Sequence, residues 1–338
     1  MRIFLTGATG YIGGSVLARL LDHPRQRTFE ITVLVRSSEK AALFNRTFGN
    51  LTAVVGSTSD LGLLEELSAD ADVVFACTRM IFSLPKAILR GMQDRHSNTG
   101  VAPALIHTSG TGVLSDDANG MYSSSTIYSD LNIPQLETLP PDQPHRDVDL
   151  ALVEADSQGY VKTYIVLPAT IYGFASGPLV KAGLQNHRSQ QIPRLVNLSL
   201  KRGQGGVIGK GNNWWGNVHI DDVASLYVRI FDLVTEKSPP RDFAHGRAGF
   251  YFVENGEHQL SQVGDAIATV LSGIGKGTSS ATSFSDQEMR LYFPSGTSLG
   301  ANSRCRAERG AKIGWRPTLK TRDMLHSIKA EVEASLSQ

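Results

Sequence analysis

The chain has 338 residues, 41% hydrophobic, 7% aromatic and 19% charged, with 33 basic against 32 acidic side chains. That composition suits a globular body with a sizeable core. The near-neutral balance without a Lys/Arg block argues against nucleic acid or a membrane surface as partner, and no apolar run reaches the ~18 residues of a membrane span. Cys77 and Cys305, the two cysteines, form no CxxC, which argues against a metal site or disulfide frame.

Residues 2–6 (RIFLT) read as a buried strand. Gly7, Gly10 and Gly13 follow at three-residue spacing, and an apolar-periodic helix then carries Ile12, Val16, Leu17, Leu20 and Leu21. A strand, glycines and a helix in that order make a phosphate site. Glycine lets the backbone approach a diphosphate without a Cβ in the way, and the helix N-terminus offers N–H groups at the positive end of its dipole. The β-branched run 29–36 (FEITVLVR) predicts a second strand, 39–44 a short helix and 51–55 a third strand. A helix over 61–68, a strand over 72–77 (DVVFAC) and a helix over 85–98 follow. A fifth strand over 104–107 (ALIH) leads into Thr108, Ser109 and Gly110, and a sixth over 161–167 (VKTYIVL) ends at Pro168. Short strands alternating with helices predict an α/β fold, a doubly wound parallel Rossmann sheet with ligands beyond the carboxyl ends of its strands. The second half is less regular. Residues 203–211 (GQGGVIGKG) predict a loop, 222–233 a helix capped by Asp221 and Asp222, 249–253 a strand, 261–271 a helix, and the Ser/Thr/Gly-rich stretch 272–285 a mobile loop. Trp214 and Trp215, beside the glycine-rich loop, suit either a pocket wall or a domain junction.

Several motifs, in order, resemble the extended short-chain dehydrogenase/reductase family, in its epimerase/dehydratase-like branch. They are 6–13 (TGATGYIG), Thr108-Ser109, 167–173 (LPATIYG, with Leu167 where that family has Arg), 209–213 with 218–224 (GKGNN and VHIDDVA), and 313–317 (IGWRP). The resemblance implies a Rossmann domain over 1–173 plus 217–239, a smaller C-terminal α/β substrate region over 174–216 plus 240–338, and a nicotinamide dinucleotide. It also implies that Thr9, Tyr11 and Ile12 offer backbone N–H groups to the diphosphate, that Gly13 permits close packing, that Ala76, Cys77 and Thr78 line the ribose and nicotinamide, and that Pro168 lies by the carboxamide. A monomer or homodimer in the cytoplasm, acting on a small-molecule substrate, is the corresponding expectation, with no secretory leader ahead of the first strand.

The end of the second strand selects between cofactors. NAD-preferring folds place an acid there, whereas an Arg suits a 2′-phosphate. Here the strand ends at Arg36, followed by Ser37 with Lys40 nearby. The expectation is NADP(H) over NAD, with Arg36 the main determinant and Ser37 or Lys40 assisting.

The family's Tyr–Lys pair, four residues apart on one helix, is missing. On spacing, His145 stands at the Tyr position and Asp149 at the Lys position. Residues four apart share a helix face, so Asp149 is placed to orient the His145 ring and raise its pKa from ~6.5. Ser109 is the expected contact to a substrate oxygen, with Thr111 beside it. Tyr128, Tyr122 and Tyr172 are alternative proton donors, none with a Lys four residues later. His219 and Asp222 read as architectural, and so does His107. The leading function is an NADP(H)-dependent oxidoreductase moving hydride to or from a small carbonyl or alcohol. An epimerase, isomerase or dehydratase with a recycled cofactor, or a non-catalytic dinucleotide sensor, are the alternatives.

Overall fold

The computed structural model describes residues 1–78 and 83–337. Its centre is a sheet of seven parallel strands. Five come from the first third of the chain: β1 (Arg2–Thr6), β2 (Glu30–Val35), β3 (Leu51–Val55), β4 (Val73–Ala76) and β5 (Ala104–Thr108). Strands Lys162–Pro168 and Phe250–Val253 extend it past β5, giving the spatial order β3-β2-β1-β4-β5 and then these two. Four helices lie between the first strands: α1 (Tyr11–Leu21), α2 (Ser38–Thr47), α3 (Leu61–Ala69) and α4 (Ser83–Thr99).

Alternation along each strand builds two cores. Ile3, Leu5, Val33, Val35, Phe75, Ile106, Val166 and Tyr251 face α1 and the helix Ile220–Thr235. Their neighbours Phe4, Leu34, Val74, Ala76, Leu105, Ile165, Leu167 and Phe252 face α3, α4 and the helix Arg146–Ser157. Both faces are covered, as a parallel sheet requires. A third cluster gathers Ile192, Leu195, Val263, Ile267, Met324 and Ile328 from the helices Gln191–Arg202, Leu260–Gly273 and Thr321–Leu336, with Val207 from the short strand Gly206–Val207.

Three expectations are corrected. The strand Phe250–Val253 pairs with Lys162–Pro168 inside the main sheet, so a boundary at 240 cuts through that sheet. The stretches 203–211 and 272–285 are not loop throughout, because Gly206 and Val207 pair with Thr282 and Ser283. Two-residue strands joined across such a sequence distance leave no periodicity to read. The Asp221–Asp222 cap is also different. His219 is the N-cap residue, its Nδ1 accepting from the Asp221 N–H at 3.2 Å. Asp222, one turn in, accepts instead from the N–H groups of Thr318 and Leu319, at 3.1–3.2 Å, and its carbonyl accepts from the Trp315 indole at 3.0 Å.

Asp222 therefore fastens the C-terminal segment to the Rossmann half. Removing the carboxylate leaves two backbone donors without partners, a loss of roughly 1–3 kcal/mol each. Asp222→Ala is expected to lower the unfolding free energy by about that sum, read in urea as a lower midpoint at unchanged slope; a loss under ~0.5 kcal/mol would mean the segment finds other partners.

Candidate functional site

One deep cleft, of about 1080 Å³, runs along the carboxyl ends of the strands. Its floor is built from the residues at which successive strands stop: Gly7 after β1, Arg36 after β2, Ser57 after β3, Cys77 and Thr78 after β4, Ser109 after β5, and Pro168.

The glycine loop is set by backbone contact. Gly7 has φ +79°, and a Cβ there would stand 2.7 Å from the Cys77 carbonyl oxygen. A Cβ on Gly13 would stand 2.3 Å from the Gly7 oxygen. Gly13 thus packs helix on loop and lies outside the cleft lining, whereas Gly7, Thr9, Gly10, Tyr11 and Ile12 line it. No side chain caps α1 at Gly10. This uncapped helix start, with open backbone before it, fits a diphosphate. Tyr11 contributes main chain only, since its hydroxyl donates to the carbonyls of Tyr172 and Gly173 at 3.1 and 2.5 Å.

At one end of the cleft Arg36 is exposed and lines the wall, joined by Gly56, Ser57 and Thr58, which sequence reasoning missed. Ser37 and Lys40 do not line it. The Ser37 hydroxyl caps α2, accepting from the Lys40 N–H at 3.2 Å. Ala76 is also absent from the lining, because strand alternation turns its methyl into the core beneath β4. Cys77 and Thr78 do line the cleft, and burial pushes the Cys77 thiol up to about 12, so it stays protonated and unreactive.

At the other end lie Ser109, Gly110, Thr111, His145 and Pro168. Residues 140–144 turn into the helix Arg146–Ser157, and His145 is its N-cap with φ +71°, a left-handed conformation rare for a side chain with a Cβ. His145 is exposed, and its ring lies against Gly110, where an added Cβ would sit 3.4 Å from Nε2. It therefore precedes the helix instead of sharing a face with Asp149. Asp149 is fully buried, and its Oδ2 accepts from the Ser109 hydroxyl at 3.0 Å. Its Oδ1 has no hydrogen-bond partner and stands 3.9 Å from Nε2 of His107. Burial pushes the Asp149 carboxyl up to about 7, opposed by the Ser109 bond and the nearby Arg146 charge. The same burial, with His145 nearby, pushes His107 down to about 3, so its ring is neutral. The hydrogen-bond partner of Asp149 is thus Ser109, with His107 behind it. The signal for His107 was there, one strand position pair before Ser109, but no spacing rule links residue 107 to 149.

The tyrosine alternatives fall elsewhere. Tyr128 pairs beside Cys305 in a separate two-stranded ladder, Tyr122 is exposed and bonded to Asp117, and the buried Tyr172 hydroxyl donates to the Lys320 carbonyl; none lines the cleft. Trp215 does line it, and its neighbour Trp214 stacks under Arg304 on the opposite strand face. A last wall comes from Asn186, Arg188, Ser189, Gln190 and Gln191, also missed in the sequence. Among the described residues no cluster could hold a metal ion, and no helix is long and apolar enough to cross a membrane.

Residues 3–246 match the NAD dependent epimerase/dehydratase family, and the chain belongs to that family. Oxidase ucsJ of an Acremonium species is 30% identical over 336 residues, 94% of this chain and 92% of the relative. An uncharacterised protein of Schizosaccharomyces pombe is 27% identical over 332 residues, 95% and 96% of the two chains. In fold the chain is similar to the UDP-glucose 4-epimerase of Thermotoga maritima solved with UDP-glucose (TM-score 0.65, 14% identity, 100% of each chain). It is also similar to the yeast methylglyoxal/isovaleraldehyde reductase Gre2 solved with NADPH (TM-score 0.59, 15% identity, 100% of each).

The Asp149 carboxyl is expected to titrate with a midpoint of about 7 by carboxyl-resolved NMR. Ser109→Ala removes the bond that holds it down and should raise that midpoint; an unchanged midpoint would sink the assignment. Stability carries the same signature. The folded chain keeps this proton between the ordinary value of 3.8 and about 7, so the Asp149 contribution falls as pH rises through that window. His107 slopes the other way between about 3 and 6.5. The difference between wild type and Asp149→Asn isolates the first slope.

Proposed function

We propose that the chain is an NADP(H)-dependent oxidoreductase that interconverts a small carbonyl compound and its alcohol, with Ser109, His145 and Asp149 in place of the Tyr–Lys pair. The observation that carries this reading is the single cleft that joins the uncapped glycine loop, Arg36 at one end and the Ser109–Asp149 bond at the other. A bound dinucleotide supplies or accepts the hydride. The chain's residues do the rest. Backbone at Thr9, Tyr11 and Ile12 holds the diphosphate, the Arg36 guanidinium pairs with the 2′-phosphate, and Cys77, Thr78 and Pro168 wall the nicotinamide end. Ser109 bonds the substrate oxygen. His145, beside Gly110 and open to the cleft, gives or takes the oxygen's proton near neutral pH. Asp149, when protonated, donates to the Ser109 oxygen, which leaves the Ser109 proton for the substrate oxygen and adds no charge to that end.

The test is a binding titration with NADPH and NADH followed by a carbonyl panel. NADPH should bind at least about tenfold more tightly, the scale of a charge-assisted phosphate contact, and Arg36→Ala should erase the difference. Equal affinities in the wild type would refute the cofactor assignment. His145→Gly suits the left-handed backbone and should leave stability unchanged or raised, while turnover falls by about a hundredfold or more. Turnover retained in that variant would remove His145 from the reaction. Cofactor that exchanges hydride with no net consumption would move the reading to an epimerase or dehydratase.

A further inference from the structure

The wall built by Asn186–Gln191 holds a buried cation that the reading above does not use. Arg188 is 7% exposed and lines the cleft. Its Nε and Nη2 donate to Glu331 Oε2 at 3.1 and 2.7 Å, and Nη2 also meets the Glu331 carbonyl and the Ser335 hydroxyl. Its backbone is clamped on both sides by one side chain: Asn186 Oδ1 accepts from the Arg188 N–H at 3.1 Å, and Asn186 Nδ2 donates to the Arg188 carbonyl at 3.0 Å. The Asn186 N–H in turn donates to the Thr9 carbonyl at 2.9 Å, inside the glycine loop. Arg188 is therefore fixed two residues from a direct backbone bond to that loop. Next to it, the Ser189 hydroxyl is buried without a partner and lines the same cleft.

Burying an ion pair is expensive, and an apolar pair of similar shape would hold the C-terminal helix as well. The charge is retained at the cleft, beside a helix start that offers only about half a unit of positive charge. A diphosphate brings two negative charges. Among the described residues lining the cleft the arginines are Arg36 and Arg188, and no lysine lines it. Arg36 stands after β2, at the far end. We infer that Arg188, with Ser189, forms the second half of the diphosphate site, closing over the bound dinucleotide from the C-terminal region opposite the glycine loop. Glu331 then acts as the holder that keeps the guanidinium in place while no anion is present. The inference rests on the dinucleotide reading.

The test measures dissociation constants for NADPH and for adenosine 2′-monophosphate, which carries the 2′-phosphate but no diphosphate, in the wild type, Arg188→Gln and Glu331→Gln. Arg188→Gln should weaken NADPH by about ten- to a hundredfold, the scale of a charge-assisted hydrogen bond, and leave adenosine 2′-monophosphate unchanged. Glu331→Gln, which frees the cation, should bind NADPH at least as tightly as the wild type. A purely structural pair predicts the opposite pattern, with both variants weakening both ligands alike. That pattern, or an unchanged NADPH constant in Arg188→Gln, overturns the inference, the latter also when Arg188→Gln instead raises the KM of an anionic carbonyl substrate. A wild type that binds no dinucleotide would instead refute the reading on which it rests.

Discussion

The contact on which the site depends is between two stretches of backbone. The Gly7 oxygen lies where a Cβ of Gly13 would be, and the Cys77 carbonyl lies where a Cβ of Gly7 would be. Three chain segments, β1, α1 and the end of β4, thus meet at two glycines, with the Cys77 Cβ against Gly13. Because α1 starts that close to the loop, its unfilled N–H groups face the cleft instead of a capping side chain. The opposite wall is registered to the same loop. Gln185 packs its amide over Gly14, donates to the Tyr11 carbonyl, and delivers Asn186 to Thr9. A methyl group at Gly13 would displace the floor at Gly7 and Cys77, and one at Gly14 would meet the Gln185 amide of the far wall.

The other end of the cleft is governed by dehydration. Asp149 has no solvent access, so ionising it costs what water would otherwise supply. Ser109 is positioned by that carboxyl, and the hydroxyl in turn sits at a strand end whose N–H is fixed to the Val166 carbonyl at 2.8 Å. His145 reaches the same space from a strained left-handed residue, a conformation that costs of order 1–3 kcal/mol and is held by the surrounding turn and the helix that follows.

Local patterns were legible wherever one period governed one element. The strand predicted over 51–55 is found at Leu51–Val55, and the helix over 61–68 runs as Leu61–Ala69. The order of strand, glycines and helix placed the cleft floor, because that motif is continuous in the chain. What escaped the sequence lies in contacts between distant segments. Ser109 meets Asp149 across 40 residues, Arg188 meets Glu331 across 143, and Gly206 pairs with Thr282. The geometry of His145 escaped for a different reason. Four-residue spacing describes a helix face only if both residues are helical, and the chain enters this helix one residue after His145.

The same packing limits what position 149 can hold. Position 149 is enclosed, and one charge that acts on it is Arg146, itself 4% exposed and donating to the Leu136 carbonyl. A lysine at 149 would be a second buried cation near the first, a combination costing several kcal/mol. An acid there is neutral when protonated and attracted to Arg146 when not. The charge behind Ser109 is thus held by a carboxyl that burial brings close to neutrality, and it varies with pH where a fixed charge would not.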